Sequence, residues 1–186
     1  MRINIEPYKC RVVGCHVQYI IMCGKCVITA FLLCLTWSVC VDGWWRSSSK
    51  AKVSGARIQR IADSYIGSNK WAKSSSHTTG VNTNKCNIFV ADVFKEAGVN
   101  VPRTLSRRWP IGAREWGNPK SLFLWVNSCW TNHRTGQIGD VIGGGGHVGI
   151  VTGYRQTTSA GTYKVLKNDW GYRSGGPKVT FWRYVC

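Results

Sequence analysis

The sequence predicts an α+β domain in which two helices come first and an antiparallel sheet follows. Apolar residues repeat at helical spacing in 54–66 and 86–97, whereas short apolar runs separated by turn residues follow residue 139. Helices followed by a run of strands are typical of the α+β class. The chain has 186 residues, a length that fits one globular domain with an additional segment.

The apolar run Val27–Val41 indicates a secretory signal peptide. Lys25 precedes this run and Asp42 follows it, so a positive flank leads into a hydrophobic stretch of about 15 residues. A membrane-spanning helix needs about 20 residues, which makes a membrane anchor the weaker alternative. Small residues at the end of the run favour cleavage after Cys40, with a cut after Gly43 as the alternative.

Cleavage after Cys40 divides the chain into three parts. Residues 1–40 contain the signal peptide, which is expected to start at Met22, and an upstream extension before it. Residues 41–53 form a linker, and residues 54–186 form the folded domain. Removing residues 1–40 takes away four basic residues and one acidic residue, which lowers the net charge from +17 to +14. The mature domain is therefore strongly basic and predicts an anionic partner.

Both predicted helices have recognisable ends. Ser54 is placed to cap the first helix, which runs to about residue 66 and ends at Gly67. The second helix covers 86–97, with Asn84 as its cap and Gly98 as its end. Apolar residues occupy most sides of this second helix, so we expect it to be buried in the middle of the domain.

The rest of the chain predicts loops and then a meander of strands. Residues 100–137 are rich in Pro, Trp and Arg, which indicates long loops with one short helix. The glycines of Gly143–Gly146 indicate a tight turn or flexible loop. Strands are predicted at 140–142, 147–152, 163–167 and 179–184.

Cys86 is the candidate nucleophile among the three cysteines that follow residue 40. It opens the second helix, where free N–H groups and the helix dipole stabilise a thiolate, and Lys85 adds positive charge. Cys129 in a loop and Cys186 at the C-terminus lack this activation. A Cys129–Cys186 disulfide would suit a secreted protein and leave Cys86 free, and we expect an ionised thiol at Cys86.

His147 is the best-placed general base for this thiol. It begins a strand, which is a rigid platform, and the glycines before it leave room for a substrate backbone. Asn168 and Asp169 end the neighbouring strand, and either is a candidate for the group that orients the imidazole. Asp140 is a weaker third candidate.

Three segments resemble the NlpC-type and CHAP group of papain-like peptidoglycan amidases: NKCNIFVADVFKEAGV (84–99), GDVIGGGGHVGIVTG (139–153) and KNDWGYR (167–173). The first segment and IADSYIGSNKWA are similar to type VI secretion amidase effectors and to their secreted relatives in animals such as ticks. The resemblance covers about residues 54–184. It implies a papain-like NlpC/CHAP-type fold, with a buried N-terminal catalytic helix packed on an antiparallel sheet.

The resemblance also implies an activity, namely hydrolysis of amide bonds in peptidoglycan stem peptides or cross-links, such as the bond between D-alanine and a diamino acid. Cys86 matches the family nucleophile and His147 the family base, while the third member stays open between Asn168 and Asp169. We expect a secreted monomer that acts on bacterial peptidoglycan at the anionic bacterial surface, with no cofactor or metal. The expected substrate-binding residues are Asn84, Lys85, Trp109, Arg114, Trp116 and Gly146.

Several alternatives stay open on the sequence. Cys86 is also compatible with a small buried core residue, and Cys129 with His133 has the spacing of a partial zinc site. The domain also fits a non-enzymatic cationic wall-binding antimicrobial protein, or a papain-like protein deamidase or transglutaminase. Nucleic-acid binding has only the charge in its favour, and we do not expect it.

Overall fold

The computed structural model describes residues 52–106 and 108–186, and the chain in this range has an α+β architecture. The predicted signal peptide, the start at Met22 and nearly all of the predicted linker lie outside the described residues. The helices are α1 (Gly55–Ser64), α2 (Cys86–Glu96), α3 (Ala113–Trp116) and α4 (Leu122–Trp125). The strands are β1 (Trp130–His133), β2 (Val141–Gly144), β3 (His147–Gly153), β4 (Gln156–Ala160), β5 (Val165–Asn168) and β6 (Thr180–Tyr184).

Helix α1 has the capping that its sequence predicts. The Ser54 hydroxyl accepts a hydrogen bond from the backbone N–H of Arg57. The helix ends at Ser64, earlier than the expected end at about residue 66. Beyond it, Gly67 adopts a φ of +87°, a conformation that glycine reaches without steric cost. Gly55 lets α1 approach the loop before β2, because a Cβ atom there would lie 2.0 Å from the carbonyl oxygen of Ile138.

Helix α2 is the buried helix that the sequence predicts. Its C-terminal end is confirmed: Gly98 has a φ of +95°, and the N–H groups of Gly98 and Val99 donate to the carbonyls of Lys95 and Phe94. The predicted cap is wrong by one position, because Lys85 is the N-cap residue and makes no side-chain capping bond. The buried face of α2 packs against β3 and β4.

All six strands form one antiparallel sheet in the order β1-β6-β2-β3-β4-β5. The four predicted strands are present with shifted ends, whereas β1 and β4 were not predicted because their sequences, WTNH and QTTSA, are largely polar. The predicted four-glycine turn is shorter: only Gly145 and Gly146 turn, with φ of +54° and +78°. Gly143 belongs to β2, where a Cβ would lie 2.5 Å from the carbonyl carbon of Trp116.

The segment predicted as loops is more ordered than expected, since it contains α3, α4 and β1. The disulfide Cys129–Cys186 is present as predicted, and the N–H of Val185 donates to the carbonyl of Cys129 at 2.9 Å. The disulfide therefore fastens the end of the chain beside the edge strand β1. It also removes the thiolate that a zinc site at Cys129 and His133 would need.

Within the described residues, no helix has the length and apolar character needed to cross a membrane.

Candidate active site

Cys86 and His147 line one pocket of about 150 Å³, located between the start of α2 and the adjoining parts of β3 and β4. The predicted nucleophile and base, which are 61 positions apart in the sequence, therefore come together in the fold. The remaining lining residues come from the loop before α2, the turn before β3, and the end of β4 with the turn that follows it. They are Lys73, Asn84, Lys85, Gly146, Ala160, Gly161 and Thr162.

The Cys86 thiol is buried, with only 5% of the residue exposed. Burial raises its pKa, and this effect exceeds the opposing effect of backbone hydrogen bonds from Val148, Asn87 and Cys86 itself. The expectation that the Cys86 thiol is ionised is therefore wrong. The N–H groups at the start of α2 do face the sulfur, as the sequence suggests, but loss of water favours the neutral thiol.

The His147 imidazole is held on two sides. Its Nε2 lies 3.0 Å from the Ser159 hydroxyl oxygen on β4, and the Trp170 ring packs edge-on against it with the ring centroids 4.7 Å apart. Burial lowers the pKa of His147, so the neutral imidazole is favoured. When Nε2–H donates to Ser159, the lone pair of Nδ1 is the one available to accept a proton.

Ser159, rather than Asn168 or Asp169, is the residue that the structure places against the imidazole. The Asn168 side-chain oxygen accepts from the backbone N–H of Trp170 at 3.0 Å, and exposed Asp169 pairs with Arg173. The sequence did lead to the right segment, because Trp170 follows these two residues directly. The side chains of Asn168 and Asp169, however, contact neighbouring residues of their own segment and not the imidazole.

Asp140, the weaker third candidate, has a structural role instead. It is only 1% exposed, and its two carboxylate oxygens accept from the Arg183 guanidinium at 2.9 and 2.8 Å. The backbone N–H of Gln137 also donates to Asp140 at 2.7 Å. These contacts join the loop before β2 to β6.

Ser159 is the functional candidate that sequence reasoning missed. It lies in the polar strand β4, and a glycine on β3 allows its approach: a Cβ at Gly149 would lie 2.8 Å from the Ser159 Cβ and 2.6 Å from the Thr157 Cγ2. Gly149 is two residues after His147, so both project toward the same face of the sheet. One sequence signal could have indicated this contact: a histidine and a glycine two positions apart on one strand, with a serine on the next strand.

Three of the predicted substrate-binding residues line the pocket, in different ways. Asn84 and Gly146 are exposed at its surface. Lys85 is 2% exposed, and its ammonium donates to the carbonyls of Ala72, Lys73 and Thr83 at 3.2, 3.5 and 3.2 Å. Burial lowers the pKa of Lys85. Its hydrogen bonds thus hold the wall of the pocket.

The other three predicted substrate-binding residues lie outside the pocket lining. The prediction for Trp116 is wrong, because its side chain is fully buried and packs against Trp130 at 5.0 Å between ring centroids. Trp109 is half-buried beneath the Arg108 guanidinium, 5.0 Å from its ring centroid, and Arg114 is exposed. Trp116 belongs to the core because α3 covers β2.

No protein-family model matches this chain, and no curated protein matches it.

Proposed function

We propose that the chain is a cysteine hydrolase of the papain-like NlpC/CHAP type that cleaves amide bonds in bacterial peptidoglycan stem peptides or cross-links. One observation carries the proposal: Cys86, at the first position of a buried helix, shares a pocket with His147, whose Nε2 contacts Ser159. A nucleophile, a base and a group that orients the base are the parts that acyl transfer requires.

The neutral thiol and neutral imidazole suggest a reaction in which proton transfer accompanies attack. The Cys86 sulfur attacks the carbonyl carbon of the amide while its proton passes to Nδ1 of His147. The imidazolium then donates that proton to the leaving nitrogen, the C–N bond breaks, and a thioester remains. Water attacks the thioester with His147 as base, which releases the carboxylic acid and restores the thiol. The backbone N–H groups at the start of α2 supply hydrogen bonds for the developing oxyanion.

The distribution of charge supports an anionic target. Every acidic side chain in the described chain makes an internal hydrogen bond or ion pair; the residues are Asp63, Asp92, Glu96, Glu115, Asp140 and Asp169. Many basic side chains are exposed, among them Arg57, Arg60 and Lys120. A surface on which cations predominate attracts anionic bacterial envelopes. The disulfide suits secretion into an oxidising compartment.

Digestion of purified sacculi tests the proposed function. Wild-type protein should release soluble fragments with new amino groups, identified by mass spectrometry, and Cys86→Ala protein should release none. Intact sacculi after incubation with folded wild-type protein would overturn the proposal.

The cationic surface also favours a second candidate, a wall-binding antimicrobial protein without catalytic activity. Cys86→Ala separates the two, because a protein that only binds would kill bacteria equally well with or without the thiol. Loss of killing together with loss of fragment release would assign the antibacterial effect to hydrolysis.

A further inference from the structure

The pocket beside Cys86 has an unbalanced charge. Two lysines, Lys73 and Lys85, belong to its lining, whereas none of its described lining residues is acidic. The acidic side chains of the described chain are engaged in the contacts given above. The pocket therefore has a positive potential that the domain itself does not neutralise.

The two lysines contribute to this potential in different ways. The Lys85 ammonium donates its three N–H groups to three backbone carbonyls. It therefore contributes positive charge but has no donor left for a ligand. The Lys73 side chain is exposed at the pocket, and within the described residues no hydrogen bond or ion pair engages its ammonium. Lys73 is therefore the residue with donors available for a ligand.

The backbone of Lys73 is fixed in place even though its side chain is exposed. Its N–H donates to the carbonyl of Thr162 at 2.8 Å, and its carbonyl accepts from the N–H of Asn82 at 2.8 Å and from Lys85 at 3.5 Å. The loop before α2 is thus tied both to the turn after β4 and to the residue next to the nucleophile. Anchoring of this kind lowers the entropic cost of positioning a binding group.

We propose that Lys73 binds a free carboxylate of the substrate next to the scissile amide, and that this carboxylate determines which amides are cleaved. The inference rests on the proposed function and adds a substrate class to it. The ammonium of Lys73 supplies charged hydrogen bonds to the carboxylate, while the buried charge of Lys85 strengthens the same preference. A carboxamide at that position keeps the shape but loses the charge.

Two matched stem-peptide dimers test this inference. Both are cross-linked through diaminopimelate; in one the carboxyl group beside the cross-link nitrogen is free, and in the other it is a primary carboxamide. Wild-type protein should cleave the free acid about 10-fold more efficiently in kcat/KM. Lys73→Met should abolish this preference by slowing cleavage of the acid alone, and Lys73→Arg should keep most of it.

Lys164→Met is the matched control, because Lys164 is exposed in the turn between β4 and β5 but lies outside the pocket lining. It removes the same charge and should leave the ratio between the two dimers unchanged. Equal cleavage of both dimers by wild-type protein, or an unchanged ratio in Lys73→Met, would overturn the inference and leave the proposed hydrolase intact.

Binding to Cys86→Ala protein, measured by calorimetry with the same dimers, examines the inference without turnover. Tighter binding of the free acid that disappears in Cys86→Ala/Lys73→Met would support carboxylate recognition. Equal affinity for the acid and the amide would refute it. If wild-type protein leaves sacculi uncleaved, this result would instead count against the proposed function. The calorimetric result would still decide whether Lys73 binds the carboxylate.

Discussion

Two histidines lie beside helix α2, and their surroundings differ in what they allow. His77 bonds through Nε2 to the Asp92 carboxylate at 2.8 Å, and the Trp71 indole N–H donates to the same oxygen at 2.9 Å. His147 contacts the neutral hydroxyl of Ser159 and lies in the pocket of Cys86. The His77–Asp92 pair has the composition of two-thirds of a catalytic triad, yet the pocket with the thiol contains the other histidine.

Position relative to the thiol, more than the identity of the hydrogen-bond partner, distinguishes His147 as the candidate base. Burial lowers the pKa of His147, so its imidazole is neutral and able to accept a proton. The contact of His77 with Asp92 therefore connects α2 to the loop before it. His147 is the base in the proposed mechanism because it shares a pocket with Cys86.

Loss of Cys86 or His147 should have the largest effect on the proposed activity. Cys86→Ala and His147→Ala should each lower kcat for sacculus or stem-peptide cleavage by about 10⁴-fold or more, because residues that act as a unit fail together. His77→Ala, which removes the imidazole that contacts Asp92 of α2 from the loop before this helix, should retain activity close to wild type. Substantial activity in His147→Ala, or a comparable loss in His77→Ala, would reverse the assignment of the base.

The next effect concerns Ser159 as a positioning residue. Ser159→Ala should lower kcat by about 10-fold with little change in KM, because the imidazole loses the contact that holds its orientation. Ser159→Thr keeps the hydroxyl and should recover part of the activity. Gly149→Ala should resemble Ser159→Ala, since the added methyl group would displace Ser159.

Thr158→Val is the matched control for Ser159. Thr158 is fully buried on the same strand, and its hydroxyl donates to Asp63 at 2.7 Å. Its removal should lower the free energy of unfolding by about 1–3 kcal/mol, while kcat of the folded protein stays near wild type. An equal loss of kcat in both variants would show that Ser159 only supports the sheet.

These contacts also show what could be predicted from sequence. Helix periodicity, Ser54 and Gly98 predicted the start of α1 and the end of α2, because capping is local. The positions of Cys86 at a helix start and of His147 at a strand start were predictable because these are local features as well. Ser159 was not, since its role depends on the pairing of β3 with β4, and the polar sequence QTTSA does not reveal a strand.

The burial of the site gave a second departure from sequence reasoning. A cysteine at a helix start predicts a lowered thiol pKa, but the sequence does not report how completely α2 and the sheet exclude water. The prediction that Trp116 binds substrate was wrong for the same reason. The positions of aromatic residues in a Pro-rich segment do not indicate which of them will be buried against the sheet. Both errors concern burial, which is a property of the tertiary fold.

A smaller effect concerns the protonation state of the pair. Because burial raises the pKa of Cys86 and lowers that of His147, both groups should be neutral around neutral pH. Alkylation of Cys86 by iodoacetamide should therefore be slower at pH 7 than that of a free cysteine, and its rate should continue to rise above the ordinary thiol pKa. A rate that is already high and constant from acidic to neutral pH would indicate a thiolate–imidazolium pair.

Changes to the His77–Asp92 pair should have the smallest effect on activity and should instead lower stability. His77→Ala and Asp92→Asn should each lower the free energy of unfolding by about 1 kcal/mol, because both side chains are partly exposed and water screens their interaction. Asp92→Asn should cost the more of the two, since Asp92 also accepts from the indole of Trp71. Chemical denaturation measures the loss, and the double variant should show less than the sum of the single losses, because the two residues share one contact. Additive losses would mean that the pair is not coupled, and a change in the pH dependence of kcat in either variant would join it to the chemistry after all.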